Sequence, residues 1–297
     1  MKPGSVLFVV NPVSGGTDKE EVREKITEFA VSQNISCSFF ETSGQNDAAK
    51  LTQQILQDKP DVVAAVGGDG TVHLAAQALP KTNIPLAIIP MGSGNGLSKD
   101  LGIPQSIPDS LQVLVKNEAK RIDTLLVNQK LCIHLADLGF NALVVKRFDE
   151  ASTRGPGTYA KVALEEYINF TPGHYNITTG TETFSGEAFM ITITNARNFG
   201  SNATINPNAV LNDGWFEICI LEPFPKAAAI GILLIMYNET IDKSVYSRII
   251  RCKKATIINQ KDELLQIDGE IMPPTKEVTV EIQEGNLQVL LPFSDAD

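Results

Sequence analysis

Short apolar runs alternate with helix-periodic stretches through the first 120 or so residues. "SVLFVV" precedes "DKEEVREKITEFAVSQ", "DVVAAV" precedes "VHLAAQAL", and "PLAIIP" precedes "GLSKDLGI" and "SIPDSLQVLVKN". Runs of four to eight apolar residues bounded by turn signals, with helical patterns between them, predict a parallel sheet with crossover helices. Beyond Arg121 the pattern changes to successive strand-like segments: "RIDTLLVN", "KLCIHLADLGF", "AFMITITNA", "WFEICILE", "KATIINQ", "LLQIDGE" and "EVTVEIQ". This half predicts mostly antiparallel β structure, with helical insertions near residues 158–170 and 226–238. The expected architecture is an α/β domain over residues 1–122 and a β-rich domain over 123–297, sharing one cleft, with the last strand free to return to the first domain.

Two apolar segments bear on location. "MKPGSVLFVVNP" lacks the basic region, long apolar stretch and cleavage site of a signal peptide. "AAAIGILLIMY", from Ala227 to Tyr237, falls well short of the roughly 20 residues that a spanning helix needs. No transmembrane segment is expected. An apolar helix of this length is expected in the core, the alternative being a segment that lines a lipid pocket or touches a bilayer.

Charge and cysteine content narrow the partners. With 35 acidic and 25 basic side chains, a formal net charge of −10 argues against nucleic acid or broad capture by an anionic surface. Any phosphate binding must be local. Cys37, Cys132, Cys219 and Cys252 are widely spaced and show no C-x-x-C pair, so neither a disulfide framework nor zinc is suggested and a reducing cytoplasm fits. His73, His134 and His174 are isolated and have no metal-ligand spacing.

Each of three strand-like runs in the first half ends in a glycine-bearing turn: "NPVSGGT", "GGDGT" and "MGSGNG". In an open parallel sheet such turns lie at the carboxyl edge, where helix N-termini offer unpaired N–H groups to anions. Tight βα geometry explains one such turn; three at equivalent edges favour a phosphate site. Neither G-x-x-x-x-G-K-[ST] nor a G-x-G-x-x-G after a strand occurs, which excludes the standard nucleotide fingerprints. Asp69 is out of place in a phosphate cradle, because two unit charges about 4 Å apart repel by about 4 kcal/mol at an effective dielectric near 20. Its carboxylate could hold Mg²⁺ or accept a proton from an attacking hydroxyl; alternatively it caps "TVHLAAQ".

"VGGDGTVH", "NPVSGG" and "PMGSGNGLSKDLGIP", followed by "ADLGFNALVV", "NARNFGSNATINPNAVLNDGWFEI" and "LLQIDGE", resemble in order and spacing the diacylglycerol kinase catalytic-domain family, which includes bacterial lipid kinases, sphingosine kinases and ceramide kinases. The resemblance runs through almost the whole chain. It implies ATP- and Mg²⁺-dependent phosphorylation of a lipid hydroxyl, with the nucleotide between the domains. Carried over position by position, it places Asn11 and Thr42 on the nucleotide, Gly67, Gly68, Asp69, Gly70 and Thr71 around its phosphates, and Ser93, Gly94 and Asn95 in the next loop. It makes Asp213 the side-chain ligand of a structural Mg²⁺ completed by the carbonyls of Val210 and Trp215. Glu270 becomes the proton acceptor beside Asp268, with Asp69 as the other candidate base; taken alone, "DGE" reads as a plain hairpin turn.

Where many bacterial members carry Asn-Asp, this chain has Asn95-Gly96, which looks closer to the sphingosine and ceramide kinase branch. The resemblance further implies a cytoplasmic enzyme that visits the inner membrane face, with a homodimer as one possible assembly. Two alternatives stay open: a soluble-substrate kinase of the NAD kinase type, and a nucleotide-binding regulator without catalysis. Against the first, no Asn-Glu pair of that type is present; against the second, Asp69, Asp213, Asp268 and Glu270 are all retained.

Overall fold

Near-continuous apolar runs form strands that are covered on both faces, and the first half of the chain is built from them. The computed structural model describes residues 2–11, 19–79, 82–153, 156–199 and 203–293. Contacts divide the chain into one unit of residues 1–122 with 285–297, and a second of residues 123–284.

In the first unit the order is β1 (Ser5–Val10), α1 (Lys19–Ser32), β2 (Ser36–Glu41), α2 (Asp47–Asp58), β3 (Val62–Gly67), α3 (Asp69–Gln77), β4 (Leu86–Pro90), α4 (Gly96–Asp100) and α5 (Ile107–Gln112). The strands lie in the order β2-β1-β3-β4, all parallel, with Val6 opposite both Cys37 and Val62 and Ala64 opposite Ala87. Every residue of β3 and β4 is buried. Val22 and Ile26 of α1 and Leu111 of α5 pack on Val6, Phe8, Ala64 and Val66. β2 and α2 escape the apolar pattern because "SCSFFE" is a half-buried edge strand and α2 buries only Asp47, Leu51 and Ile55. The parallel register brings the residues after β1, β2, β3 and β4 to one carboxyl edge, tied by Thr42 N–H to Val10 O (3.0 Å) and Met91 N–H to Gly67 O (2.9 Å).

The remaining elements are β5 (Asn117–Val127), β6 (Lys130–Cys132), β7 (Leu135–Gly139), α6 (Phe140–Glu150), α7 (Pro156–Asn169), β8 (Gly173–Thr179), β9 (Thr183–Ala188), β10 (Met190–Thr194), β11 (Phe216–Leu221), α8 (Ala229–Tyr237), β12 (Ser247–Cys252), β13 (Lys254–Asn259), β14 (Leu265–Ile267), β15 (Glu270–Ile271) and β16 (Glu277–Pro292). Within the second unit, one antiparallel sheet runs β12-β11-β10-β7-β14-β15. The other joins the start of β16 to β13, β8 and β9. Leu138, Ile191, Ile193 and Ile218 of the first sheet meet Tyr175, Ile177, Ile257 and Val280 of the second in one core, so this unit is a β sandwich.

The strand-like run "KLCIHLADLGF" ends at Gly139, which at φ 87° turns the chain into α6, a helix the pattern did not predict. A Cβ there would lie 2.9 Å from Phe189 O, so glycine serves both the turn and the close approach. The apolar helix α8 is not core. Ile230, Leu233, Leu234 and Tyr237 are exposed and only Ile232 and Met236 are buried. Lys226 Nζ donates to Ile168 O (2.8 Å), and Tyr167 Oη to Lys226 O (3.3 Å), fixing the start of this segment beside the end of α7, where Leu164 and Ile168 are also exposed. Among the described residues, no helix is long and apolar enough to cross a membrane.

Candidate active site

The "GGDG" loop is a strand-to-helix turn in which Gly68 is the N-cap of α3 and Asp69 the first helical residue. Asp69 is therefore not the cap. Its carboxylate lies in the first turn, where the partial positive charge of the helix end favours it. Thr71 and Val72 donate backbone N–H groups to Gly68 O (3.0 and 3.2 Å). Helix geometry leaves the first N–H groups of α3 without intrahelical acceptors, which makes this end suited to phosphate. Gly67 has no room for a side chain, since a Cβ would lie 2.3 Å from Thr71 Oγ1; at Gly70 it would meet nothing within 4 Å. The loop is thus tight beneath the turn and open above it.

The loop after β4 closes against the same turn. A Cβ on Gly92 would lie 2.6 Å from the Cα of Gly68 and 2.8 Å from Asn95 Oδ1. Asn95 Oδ1 accepts from Gly92 N–H (2.9 Å), its Nδ2 donates to Gln105 Oε1 (3.2 Å), and its backbone is left-handed at φ 53°. Asn95 thus shapes the loop that presents exposed Ser93 and half-buried Gly94. Gly92→Ala is expected to push two backbones apart at a cost of about 1–3 kcal/mol. Thermal melting of the purified variant checks this.

Asn11 follows β1 and Thr42 follows β2, both half-buried at the carboxyl edge. Asp47, which the sequence reading missed, holds the turn after Thr42: it accepts from Ser43 N–H (2.9 Å), Ser43 Oγ (2.7 Å) and Gly44 N–H (2.7 Å). The Ser43 hydroxyl, with these amides, holds its carboxyl below the usual range. The glycines of "NPVSGG" lie outside the described residues.

In the second unit, "IDGE" is a two-residue hairpin between β14 and β15, with Ile267 opposite Glu270. Asp268 (φ 47°) and Gly269 (φ 89°) are both left-handed, as such turns require. The plain-turn reading and the active-site reading therefore describe the same object. Glu270 is exposed at the hairpin's exit. Asp268, expected to be catalytic, anchors the hairpin. Its Oδ2 accepts from Ile133 N–H (2.8 Å), and its Oδ1 from His134 N–H (2.9 Å) and Leu135 N–H (3.1 Å). Both oxygens are thus held by the backbone of residues 133–135, which fixes the hairpin that carries Glu270.

At Asp213, the expected metal ligand, both carboxylate oxygens are engaged within the protein. Its Oδ1 accepts from Trp215 N–H (3.0 Å) and its Oδ2 from the Arg251 guanidinium. Arg251 also lies 3.4 Å from Glu217 Oε1, and its guanidinium sits over the Trp215 ring. A divalent ion held by Asp213 with the Val210 and Trp215 carbonyls would have to displace the half-exposed Arg251 guanidinium. Among the described residues, no group of three or more His, Cys, Asp or Glu could hold a metal. The Asp213 loop is held from below by Asp123, whose Oδ2 accepts from Gly214 N–H (2.7 Å) and whose N–H donates to Leu211 O (2.7 Å).

Comparison with known proteins places these features in a family. Residues 5–127 match the diacylglycerol kinase catalytic domain, and residues 135–291 match the YegS C-terminal NAD kinase beta sandwich-like domain. The chain is 30% identical to "Probable lipid kinase YegS" of Escherichia fergusonii over 72% of its own length and 73% of that protein's. It is 26% identical to "Probable lipid kinase YegS-like" of Shewanella frigidimarina over 83% and 81%. A diacylglycerol kinase from Bacillus anthracis strain Sterne shares the fold with a TM-score of 0.75 at 20% identity, and a second structure from that strain reaches 0.80 at 21%, each over 98% of both chains. The chain belongs to the YegS-like lipid kinases that carry a diacylglycerol kinase catalytic domain. It is a kinase, and its class acts with a nucleotide on a lipid.

Proposed function

We propose that the protein transfers the γ-phosphoryl group of ATP, bound with Mg²⁺, to the hydroxyl of a membrane lipid such as a diacylglycerol or sphingoid base. The observation that carries this reading is the carboxyl edge of the parallel sheet. There the first turn of α3, the Gly92–Asn95 loop, Asn11 and Thr42 lie together over backbone too tight for side chains. Backbone N–H groups of the α3 turn and the Ser93 hydroxyl would replace the missing P-loop lysine as phosphate donors, with Gly67, Gly68, Gly70 and Thr71 forming the loop that carries them. Asp69 would hold Mg²⁺ directly or through water; the triphosphate supplies most of that ion's other ligands. The chemistry Mg²⁺ would supply there is neutralisation of the charge on the transferred group.

An alcohol is a poor nucleophile at neutral pH. Glu270, an exposed carboxylate on a fixed hairpin, is suited to receive its proton, a contribution of about 10²- to 10⁴-fold. Transfer of label from γ-labelled ATP to vesicle lipid, compared between wild type and Asp69→Ala, tests the assignment. Loss of transfer together with weakened Mg²⁺ dependence supports it, and unchanged turnover rejects Asp69.

The exposed apolar side chains of α8 and α7 support peripheral action at a membrane surface, on the inner face if the protein is cytoplasmic. A fully buried Leu or Ile side chain contributes about 1.5–3 kcal/mol. Ile230→Glu/Leu233→Glu/Leu234→Glu is therefore expected to weaken sedimentation with lipid vesicles by at least about tenfold. Activity on lipid dispersed in detergent should be retained, since these side chains point to solvent. Vesicle binding equal to wild type would remove this face from the account.

A further inference from the structure

Asp137 is fully buried on β7, in the middle of a sheet whose neighbouring strands supply its partners. Register places Gln266 of β14 on one side of it and Thr192 of β10 on the other. Thr192 Oγ1 donates to Asp137 Oδ1 (2.5 Å); Gln266 Nε2 (2.6 Å) and Asn141 Nδ2 (2.5 Å) both donate to Oδ2. Burial pushes the Asp137 carboxyl above its ordinary range, while these three neutral donors pull it down.

The amide orientations follow from this oxygen. A carboxylate Oδ2 accepts from both NH₂ groups, and with Gly269 N–H needing an acceptor on the far side, Gln266 turns its Nε2 toward Asp137 and its Oε1 away. That Oε1 accepts from Gly269 N–H at 2.7 Å, inside the hairpin that carries Glu270. Asn141 is set in the same sense, because Tyr159 Oη donates to its Oδ1 (2.6 Å). A flipped Gln266 would set oxygen against oxygen at Asp137 and N–H against N–H at Gly269. A leucine at 137 would avoid burying a carboxyl, yet it could not orient the amide.

We propose that Asp137 is a positioning residue for Glu270, acting through the Gln266 amide and the Gly269 peptide. Gln266 passes the constraint along the strand, and Asp268 pins the same hairpin from its other side. Glu270 is thereby held at two adjoining residues. The inference rests on Glu270 as the proton acceptor, so its test includes that residue.

Steady-state kinetics on lipid in detergent micelles at saturating ATP provide the test. Asp137→Leu and Gln266→Met are each expected to lower kcat by about 10- to 100-fold with the ATP KM within about twofold. Asp137→Asn, which keeps an oxygen for both amides, should stay within about threefold of wild type, a rescue that a charge role would not allow. In a Glu270→Ala background, Gln266→Met should add no further loss. If Asp137→Leu fails to fold, Gln266→Met decides alone, since methionine fills the same space. A folded Gln266→Met enzyme at wild-type kcat, or losses that add to that of Glu270→Ala, would overturn the proposal. Glu270→Ala at wild-type turnover would instead overturn the base assignment on which it rests.

Discussion

Glu270→Ala is expected to lower kcat by about 10²- to 10⁴-fold, the contribution of a positioned proton acceptor, with the ATP KM nearly unchanged. Stability should hold within about 0.5 kcal/mol, because Glu270 is exposed. Glu270→Gln keeps the shape and removes the basicity, so it should be almost as slow. Kinetics alongside thermal melting separate this from a folding defect. A slow enzyme with an unchanged melting temperature is the expected pair; wild-type turnover in both variants would move the base to Asp69.

Asp268→Ala is expected to give the opposite signature. It strips acceptors from Ile133, His134 and Leu135, all buried residues, and unsatisfied buried donors cost about 1–3 kcal/mol each. Allowing for partial relaxation, a loss of about 3 kcal/mol lowers Tm by roughly 6–12 °C in a domain of this size. Activity should fall as well, because the hairpin bearing Glu270 loses its anchor. Asp268→Asn should rescue neither property: three N–H groups need acceptors on both oxygens, and the amide offers only one. Full stability in Asp268→Asn would show that the anchor is not the carboxylate.

The two halves of the fold were legible to different depths. β1, β3 and β4 are buried on both faces, so their sequences are continuous apolar runs that need no partner to be recognised. The strands of the sandwich were legible one by one, but their pairing was not: β7 lies between β10 and β14, which are far away in sequence. α8 was misread because nine mostly apolar residues look alike whether protein or lipid covers them. The phosphate loops were legible as glycines after strands, while the contact of Gly68 with Gly92 is a property of the folded edge alone.

The site was legible as a set of acids without its division of labour. Asp268 and Glu270 are two residues apart, yet one faces the backbone of residues 133–135 and the other faces solvent. Sequence could not separate them, because the amides that claim Asp268 come from another strand connection. Asp213, read as a metal ligand, also meets Arg251, 38 positions later, a partner that sequence spacing does not reveal. Asp137 carried a signal that could have been used: an acid inside the otherwise apolar strand "LADLG" must find donors or lose its charge.

The central claim is phosphoryl transfer from ATP to a lipid hydroxyl, and an acceptor panel tests it most directly. Wild-type protein would be given γ-labelled ATP and Mg²⁺ with diacylglycerol, monoacylglycerol, a sphingoid base, ceramide, phosphatidylglycerol or NAD. Label is expected in at least one lipid and none in NAD. Label in NAD alone, or tight ATP binding with no labelled product, would contradict it.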